Sequence, residues 1–129
     1  VNDKKHSLFS IDERMDIVRH VTGDLPNVKV DSFSGLLADY VNEHRFDAVV
    51  RGLRATTDFE YEIQMAQMNA RLYRHGTETV FLMADPSFSF ISSSLIKEVA
   101  SYGGDIRGLV PEYVRERLQD KIELRGTGK

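Results

Sequence analysis

Apolar and polar residues succeed one another along this chain with two different periods. Ile11, Met15, Val18 and Thr22 recur at the spacing of one helix face. Ser10-Ile11-Asp12-Glu13 reads as a capping box, Ser10 accepting from the backbone N–H three residues on while Glu13 reaches back. The pattern predicts a helix over Ile11 to Val21, ended near Gly23. Leu36, Leu37, Tyr40 and Val41 start a second helix that ends near His44. From Asp58 to about Arg74 two stripes run side by side. Phe59, Ile63, Ala66, Ala70 and Tyr73 form one, and Tyr61, Met65, Met68 and Leu72 the other, so burial on two sides is expected. Leu95, Ile96, Val99 and Ala100 mark a helix that begins among serines and stops at Gly103-Gly104. Pro111 is placed to open a last helix with Val114, Leu118 and Ile122 on its inner face.

The shorter period lies between these helices. After the turn at Leu25-Pro26-Asn27, the segment from Val28 to Phe33 alternates and then slips by one, predicting a strand. Phe46 to Val50 and Thr79 to Ala84 are short apolar runs, the mark of strands covered on both faces. Helices alternating with such strands predict an α/β fold, a three-layer Rossmann-like parallel sheet with helices on both faces and right-handed crossovers. Residues 1–129 read as a single domain without repeat or linker, and 125–129 as a frayed tail. A sheet of this kind normally opens with a strand, whereas this chain opens with a loop and a helix.

Composition adds limits. A chain of 129 residues suits one domain that buries about two-thirds of its unfolded surface. With 41% apolar and 29% charged residues, it is neither disordered nor membranous in composition. No apolar run nears the roughly 20 residues that cross a bilayer. A formal charge of −3 offers no basic field for nucleic acid. Zero cysteines remove disulfides, thiolate metal sites and thiol catalysis together, which is compatible with a reducing cytoplasm. The start at Val1-Asn2-Asp3-Lys4-Lys5 has no initiator Met and no signal-peptide layout, so a processed or truncated start is expected.

Three segments can carry chemistry. Arg51-Gly52-Leu53-Arg54 directly follows the strand ending at Val50, at the sheet edge where open parallel sheets bind ligands. Gly52 permits close backbone approach or positive φ, and the two guanidiniums can grip phosphate oxygens in bidentate fashion. Equally, both arginines can pair with Asp58, Glu60 or Glu62 on the next helix. Phe88-Ser89-Phe90-Ile91-Ser92-Ser93-Ser94 also follows a strand and precedes a helix. Its hydroxyls and free N–H groups suit an anion, and Phe88 and Phe90 suit an adenine, but serines there also serve as plain N-caps. Lys5, in the loop from Asn2 to Phe9, can reach a phosphate or simply be solvated. His6, His20, His44 and His75 have no metal-binding or general-base spacing, and no P-loop, GxGxxG or GxSxG motif occurs. Three phosphate-suited segments facing one edge favour a phosphate-rich ligand.

The blocks RGLRATTDFEYEIQMAQMN from Arg51 and FSFISSSLIKEV from Phe88 closely resemble the bacterial phosphopantetheine adenylyltransferases of the nucleotidylyltransferase superfamily. The resemblance runs from Asn2 to about Lys121. It implies transfer of an adenylyl group from ATP to 4′-phosphopantetheine, giving dephospho-CoA and pyrophosphate, the penultimate step of CoA synthesis. It further implies direct in-line attack assisted by Mg²⁺ that no protein side chain holds, and a cytoplasmic homohexamer that binds neither nucleic acid nor membrane. The two-striped helix suits a subunit interface.

By the same resemblance Lys5 contacts phosphates as a charge stabiliser, Leu37 lies on the pantetheine channel and Arg51 grips the acceptor phosphate. Gly52, Leu53, Arg54 and Glu62 contact ATP, as do Phe88, Ser89, Phe90, Ile91, Ser92, Ser93 and Ser94. Members usually carry Tyr or Trp at Phe88. They also open with a strand and a GxFDPxxxGH turn whose histidine is catalytic. No Gly-His pair occurs in these 129 residues, so an N-terminally incomplete chain is expected, inactive and poorly stable alone. The alternatives are a non-catalytic fragment that binds phosphopantetheine or CoA and oligomerises, and an adenylyltransferase for another small phosphate.

Overall fold

A computed structural model describes residues 7–54 and 56–126. They fall into two compact units, one of residues 33–90 and one of residues 7–32 with 91–126.

The first unit is built on a β-α-β crossover. Helix α2 (Leu37–His44) is followed by strand β1 (Ala48–Leu53), helix α3 (Thr56–Leu72) and strand β2 (Glu78–Met83). The strands pair in parallel, in a register running from Ala48 opposite Glu78 to Leu53 opposite Met83. Both ends of that register are pinned. Glu78 N–H donates to Asp47 C=O at 3.1 Å and Ala84 N–H to Leu53 C=O at 2.7 Å. The buried Thr77 hydroxyl donates to Phe46 C=O at 2.7 Å.

Strand alternation puts Val49, Arg51 and Leu53 on one face with Thr79, Phe81 and Met83. Helix α3 packs there, Phe59 meeting Phe81 edge-on at 6.4 Å and Leu53 only 2% exposed. Helix α2 buries Ala38 and Val41, and Asn42 caps the end of α3. Its amide donates to Leu72 C=O and accepts from Arg74 N–H, both at 2.9 Å.

The sequence misleads in three places here. Val28 to Phe33 forms no strand among the described residues, because alternation alone makes none without a ladder partner. Strand β1 runs on through Arg51, Gly52 and Leu53 instead of ending at Val50, because β2 continues to supply partners. Coverage on both faces also fails among the described residues, since Val50 is 61% exposed and Leu82 58%.

In the second unit, α1 (Ile11–Val21), α4 (Ser93–Ser101) and α5 (Glu112–Gly126) surround Ile96, Ile106 and Leu118. Phe9, Ile91, Val99 and Ile122 complete that core. The capping box forms as read, Ser10 Oγ accepting from Glu13 N–H at 3.1 Å and Glu13 Oε2 from Ser10 N–H at 2.7 Å. The Glu13 carboxylate also accepts from Lys121 Nζ on α5 at 2.7 Å, and that hydrogen bond leads in lowering its pKa. Tyr113 donates to Asp16 at 2.7 Å and stacks on His20 at 4.0 Å, joining α5 to α1 a second time.

Helix α4 ends in a Schellman motif. Gly103 N–H donates to Ala100 C=O and Gly104 N–H to Val99 C=O, with Gly103 at φ 76°. A Cβ on Gly104 would lie 2.5 Å from Val99 Cγ1, so no larger residue fits there unmoved. Arg125 and Gly126, expected to fray, remain helical. Their backbone still closes turns of α5, and residues 127–129 lie outside the described part.

Candidate active site

Arg51 occupies the α3 side of β1, and Glu62 sits near the start of α3 on the face turned toward the sheet. The two form a fork-to-fork pair, Arg51 Nε to Glu62 Oε2 at 2.8 Å and Nη2 to Oε1 at 2.7 Å. Glu62 is only 15% exposed in its side chain against 48% for Arg51. Hydrogen bonding to the guanidinium holds the Glu62 carboxyl below its usual pKa, and the same bond raises Arg51. One edge of the guanidinium is thereby fixed. Its Nη1 side makes no hydrogen bond among the described residues.

These residues line a pocket of about 60 Å³. Leu37 from α2, Val49 from β1 and Met65 and Ala66 from α3 supply its apolar lining. Arg51, Glu62, Asn69, Tyr73 and Thr79 supply the polar one. Residues 37, 51 and 62, singled out by the sequence reading, are thus brought to one place.

Arg54 lies just beyond β1 and pairs with Asp58, Nε to Oδ2 at 3.0 Å. Of the two readings left open for the arginines, pairing with the acids of the next helix is therefore present for both. It does not consume Arg51. Gly52 has no positive φ, and a Cβ built on it meets nothing within 4 Å. The glycine is not required by the turn, and space stays open above it. The Leu53 side chain is buried in the first unit's core, so only its backbone can face a ligand.

After β2, Asp85 caps a 3₁₀ turn over Pro86–Phe88 by accepting from Ser87 N–H at 2.8 Å. Ser89 Oγ donates to Pro86 C=O at 3.0 Å, so its hydroxyl serves that turn. Phe88 is 48% exposed and Phe90 59%. In the second unit, Ser92 is the N-cap of α4, accepting from Leu95 N–H at 3.1 Å. Ser93 and Ser94 stand exposed in its first turn, beside the half-buried Ile91. The N-cap reading thus holds for Ser92, while Ser93 and Ser94 make no side-chain hydrogen bond among the described residues. Lys5 lies outside the described residues.

A larger cavity, about 410 Å³, opens in the second unit beside Gly103, Asp105, Arg107 and Arg115. It holds none of the residues singled out above. Its charges are already matched, Arg107 Nη2 to Asp105 at 2.8 Å and Arg115 to Glu112, and Arg107 pulls the Asp105 carboxyl down to about 2. Among the described residues no group of three or more His, Asp or Glu is arranged to hold a metal ion.

The sequence reading assigned Met65, Ala66 and Tyr73 to packing stripes and passed over Asn69 and Thr79. A usable signal existed. Residues 62, 65, 66 and 69 recur at helical spacing on one face of α3, and residue 73 follows at the same spacing just past its end, so extending that face from Glu62 reaches the rest.

Comparison with known proteins gives the family. A family model described as cytidylyltransferase-like matches residues 1–99. The phosphopantetheine adenylyltransferase of Dictyoglomus turgidum is 51% identical over 124 residues, 96% of this chain and 77% of the relative. That of Dictyoglomus thermophilum is 50% identical over 98% of this chain and 77% of the relative. That of Streptomyces coelicolor is 50% identical over 97% of this chain and again 77% of the relative.

Proposed function

Because the chain belongs to the cytidylyltransferase-like family, and within it to the phosphopantetheine adenylyltransferases, we propose that its Arg51 pocket takes the acceptor's phosphate end. The turn after β1 and the rings of Phe88 and Phe90 take ATP. The reaction is nucleotidyl transfer in CoA biosynthesis, from ATP to 4′-phosphopantetheine, with dephospho-CoA as product. An acceptor phosphate oxygen attacks the α-phosphorus in line. The bond from that phosphorus to the β-phosphate's bridging oxygen breaks, and pyrophosphate leaves.

The observation that carries the site assignment is the Arg51–Glu62 fork inside a pocket that also includes Leu37. Glu62 takes one edge of the guanidinium and so aims the other at the acceptor phosphate, pre-paying the orientation of a long side chain. No group on the protein becomes covalently attached, so the residues contribute by positioning and charge stabilisation. On the strength of the resemblance Arg54 and the backbone at Gly52 and Leu53 contact the nucleotide, and Phe88 and Phe90 offer exposed rings to the base. In the second unit, Ser93 and Ser94 expose hydroxyls at the start of α4. Lys5 stabilises phosphate charge on the strength of the resemblance alone. Mg²⁺ would enter with the ATP substrate and supply charge neutralisation on its phosphates.

A homohexamer in the cytoplasm completes the reading. Tyr61 and Met68, exposed at 62% and 60% on one stripe of α3, suit its subunit contact, and sedimentation mass reads the assembly directly. Among the described residues no helix is long and apolar enough to cross a membrane.

Pyrophosphate release from ATP plus 4′-phosphopantetheine tests the activity, with other small phosphates as competing acceptors. Release dependent on 4′-phosphopantetheine is expected. Binding of the acceptor without release would favour a non-catalytic binding module, and preference for another phosphate would overturn the substrate.

Gly52→Ala tests close approach of the nucleotide to β1. With open space at the Cβ position and no positive φ, the fold should hold within about 1 kcal/mol or gain slightly from a stiffer unfolded chain. ATP binding should weaken several-fold. Unchanged ATP affinity by titration calorimetry would remove the backbone at Gly52 from the nucleotide site.

A further inference from the structure

The Tyr73 hydroxyl is buried and makes no well-formed hydrogen bond among the described residues. Buried hydroxyls are almost always satisfied, because one left bare forfeits its hydration with no return. The neighbouring Thr79 hydroxyl lowers its pKa by hydrogen bonding, against the larger raising effect of burial, and leaves the phenol's own proton to be donated elsewhere. Nothing in the sequence marks this residue. It read there as one member of an apolar stripe.

Its position gives the orphan a use. Tyr73 lines the same pocket as Arg51, and the two are close enough to be electrostatically coupled. Arg51 is held by Glu62 along one edge only, so two residues that line one cavity each keep a donor unused among the described residues, Arg51 at Nη1 and Tyr73 at Oη. The pocket, about 60 Å³, has room for a small polar group. Burial raises the phenol's pKa, so it remains a donor at neutral pH.

We infer that Tyr73 is a substrate-binding residue, its hydroxyl donating to the acceptor's phosphate oxygen beside the Arg51 guanidinium. The inference rests on reading this pocket as the acceptor-phosphate site, and it adds a neutral donor that distinguishes a phosphate monoester from the bare alcohol. Arg51 supplies charge, and Tyr73 supplies direction.

Tyr73→Phe in the full chain removes only the oxygen. Titration calorimetry of wild type and variant with 4′-phosphopantetheine and with pantetheine, which lacks the phosphate, is read beside thermal melting. The variant should bind 4′-phosphopantetheine about 10-fold more weakly, the loss expected for one hydrogen bond to a charged group. Its affinity for pantetheine should not change, and its melting temperature should stay level or rise, since an unsatisfied group has gone. Equal affinity for 4′-phosphopantetheine, or an equal loss for pantetheine, overturns the inference while leaving the pocket assignment standing. A lower melting temperature also overturns it, because the hydroxyl would then be bonded within the fold. Wild type that fails to prefer 4′-phosphopantetheine over pantetheine overturns the pocket assignment and this inference together.

Discussion

Arg51→Ala is expected to weaken 4′-phosphopantetheine binding roughly 100-fold while leaving ATP binding within a few-fold, as read by titration calorimetry. Charge-assisted hydrogen bonds are the strong ones, and two of them lost from a partly enclosed site correspond to a few kcal/mol. The variant also strands Glu62, whose side chain is 15% exposed and accepts hydrogen bonds only from Arg51 among the described residues. Arg51→Lys should restore only part of the affinity, because an ammonium keeps the charge and loses the fork. If Arg51→Ala left both affinities unchanged, Arg51 would have no place at either substrate.

A pH signature accompanies that change. Glu62 has its pKa lowered in the folded chain, so its pair with Arg51 stabilises the fold above the ordinary glutamate range, and that contribution is lost as pH falls through the lowered value. Without Arg51 the source of the depression is gone. Acid unfolding of Arg51→Ala should therefore begin at higher pH than in wild type, followed by far-ultraviolet circular dichroism. An unmoved acid midpoint would mean that the pair contributes nothing to folding, as many exposed pairs do.

Leu118→Ala should cost about 2–5 kcal/mol of stability, the largest effect expected of a single truncation in the second unit. Leu118 is 3% exposed and meets Ile96 and Ile106 at the centre of that unit's core. Helix α5 is otherwise charged along much of its length, so this one residue anchors it together with the half-buried Val114 and Ile122. Urea unfolding measures the loss. Glu116→Ala, an exposed change on the same helix, serves as comparison and should stay within about 0.5 kcal/mol. A Leu118→Ala cost as small as that of Glu116→Ala would show that the cluster does not hold the unit together.

Local signals were the most legible part of this chain. The capping box at Ser10 and Glu13 predicts α1 to the residue, because both partners lie within one turn and need nothing from elsewhere. The glycine pair at 103 and 104 predicts the end of α4 for the same reason. Strands were less legible. Val28 to Phe33 carries the alternation without a ladder partner among the described residues, and β1 extends to Leu53 only because β2 pairs with it that far. The candidate site was legible through its blocks of sequence, RGLR with its acidic follower and the serine run, and the relatives at about 50% identity bear out the family those blocks imply.

What the sequence by itself determined is therefore the α/β class, the helix boundaries set by caps and glycines, and the family with its reaction. These depend on periodicity and short-range chemistry, which a linear string carries in full. Only the tertiary structure decided that Arg51 and Glu62 form one fork, that Leu37 joins them in a single pocket, and that Tyr73, with its buried hydroxyl, lines it too. Those facts depend on which face of β1 meets which face of α3. That meeting is set by the parallel pairing of two strands about thirty residues apart and by burial summed over both elements, and no local stretch of sequence encodes it.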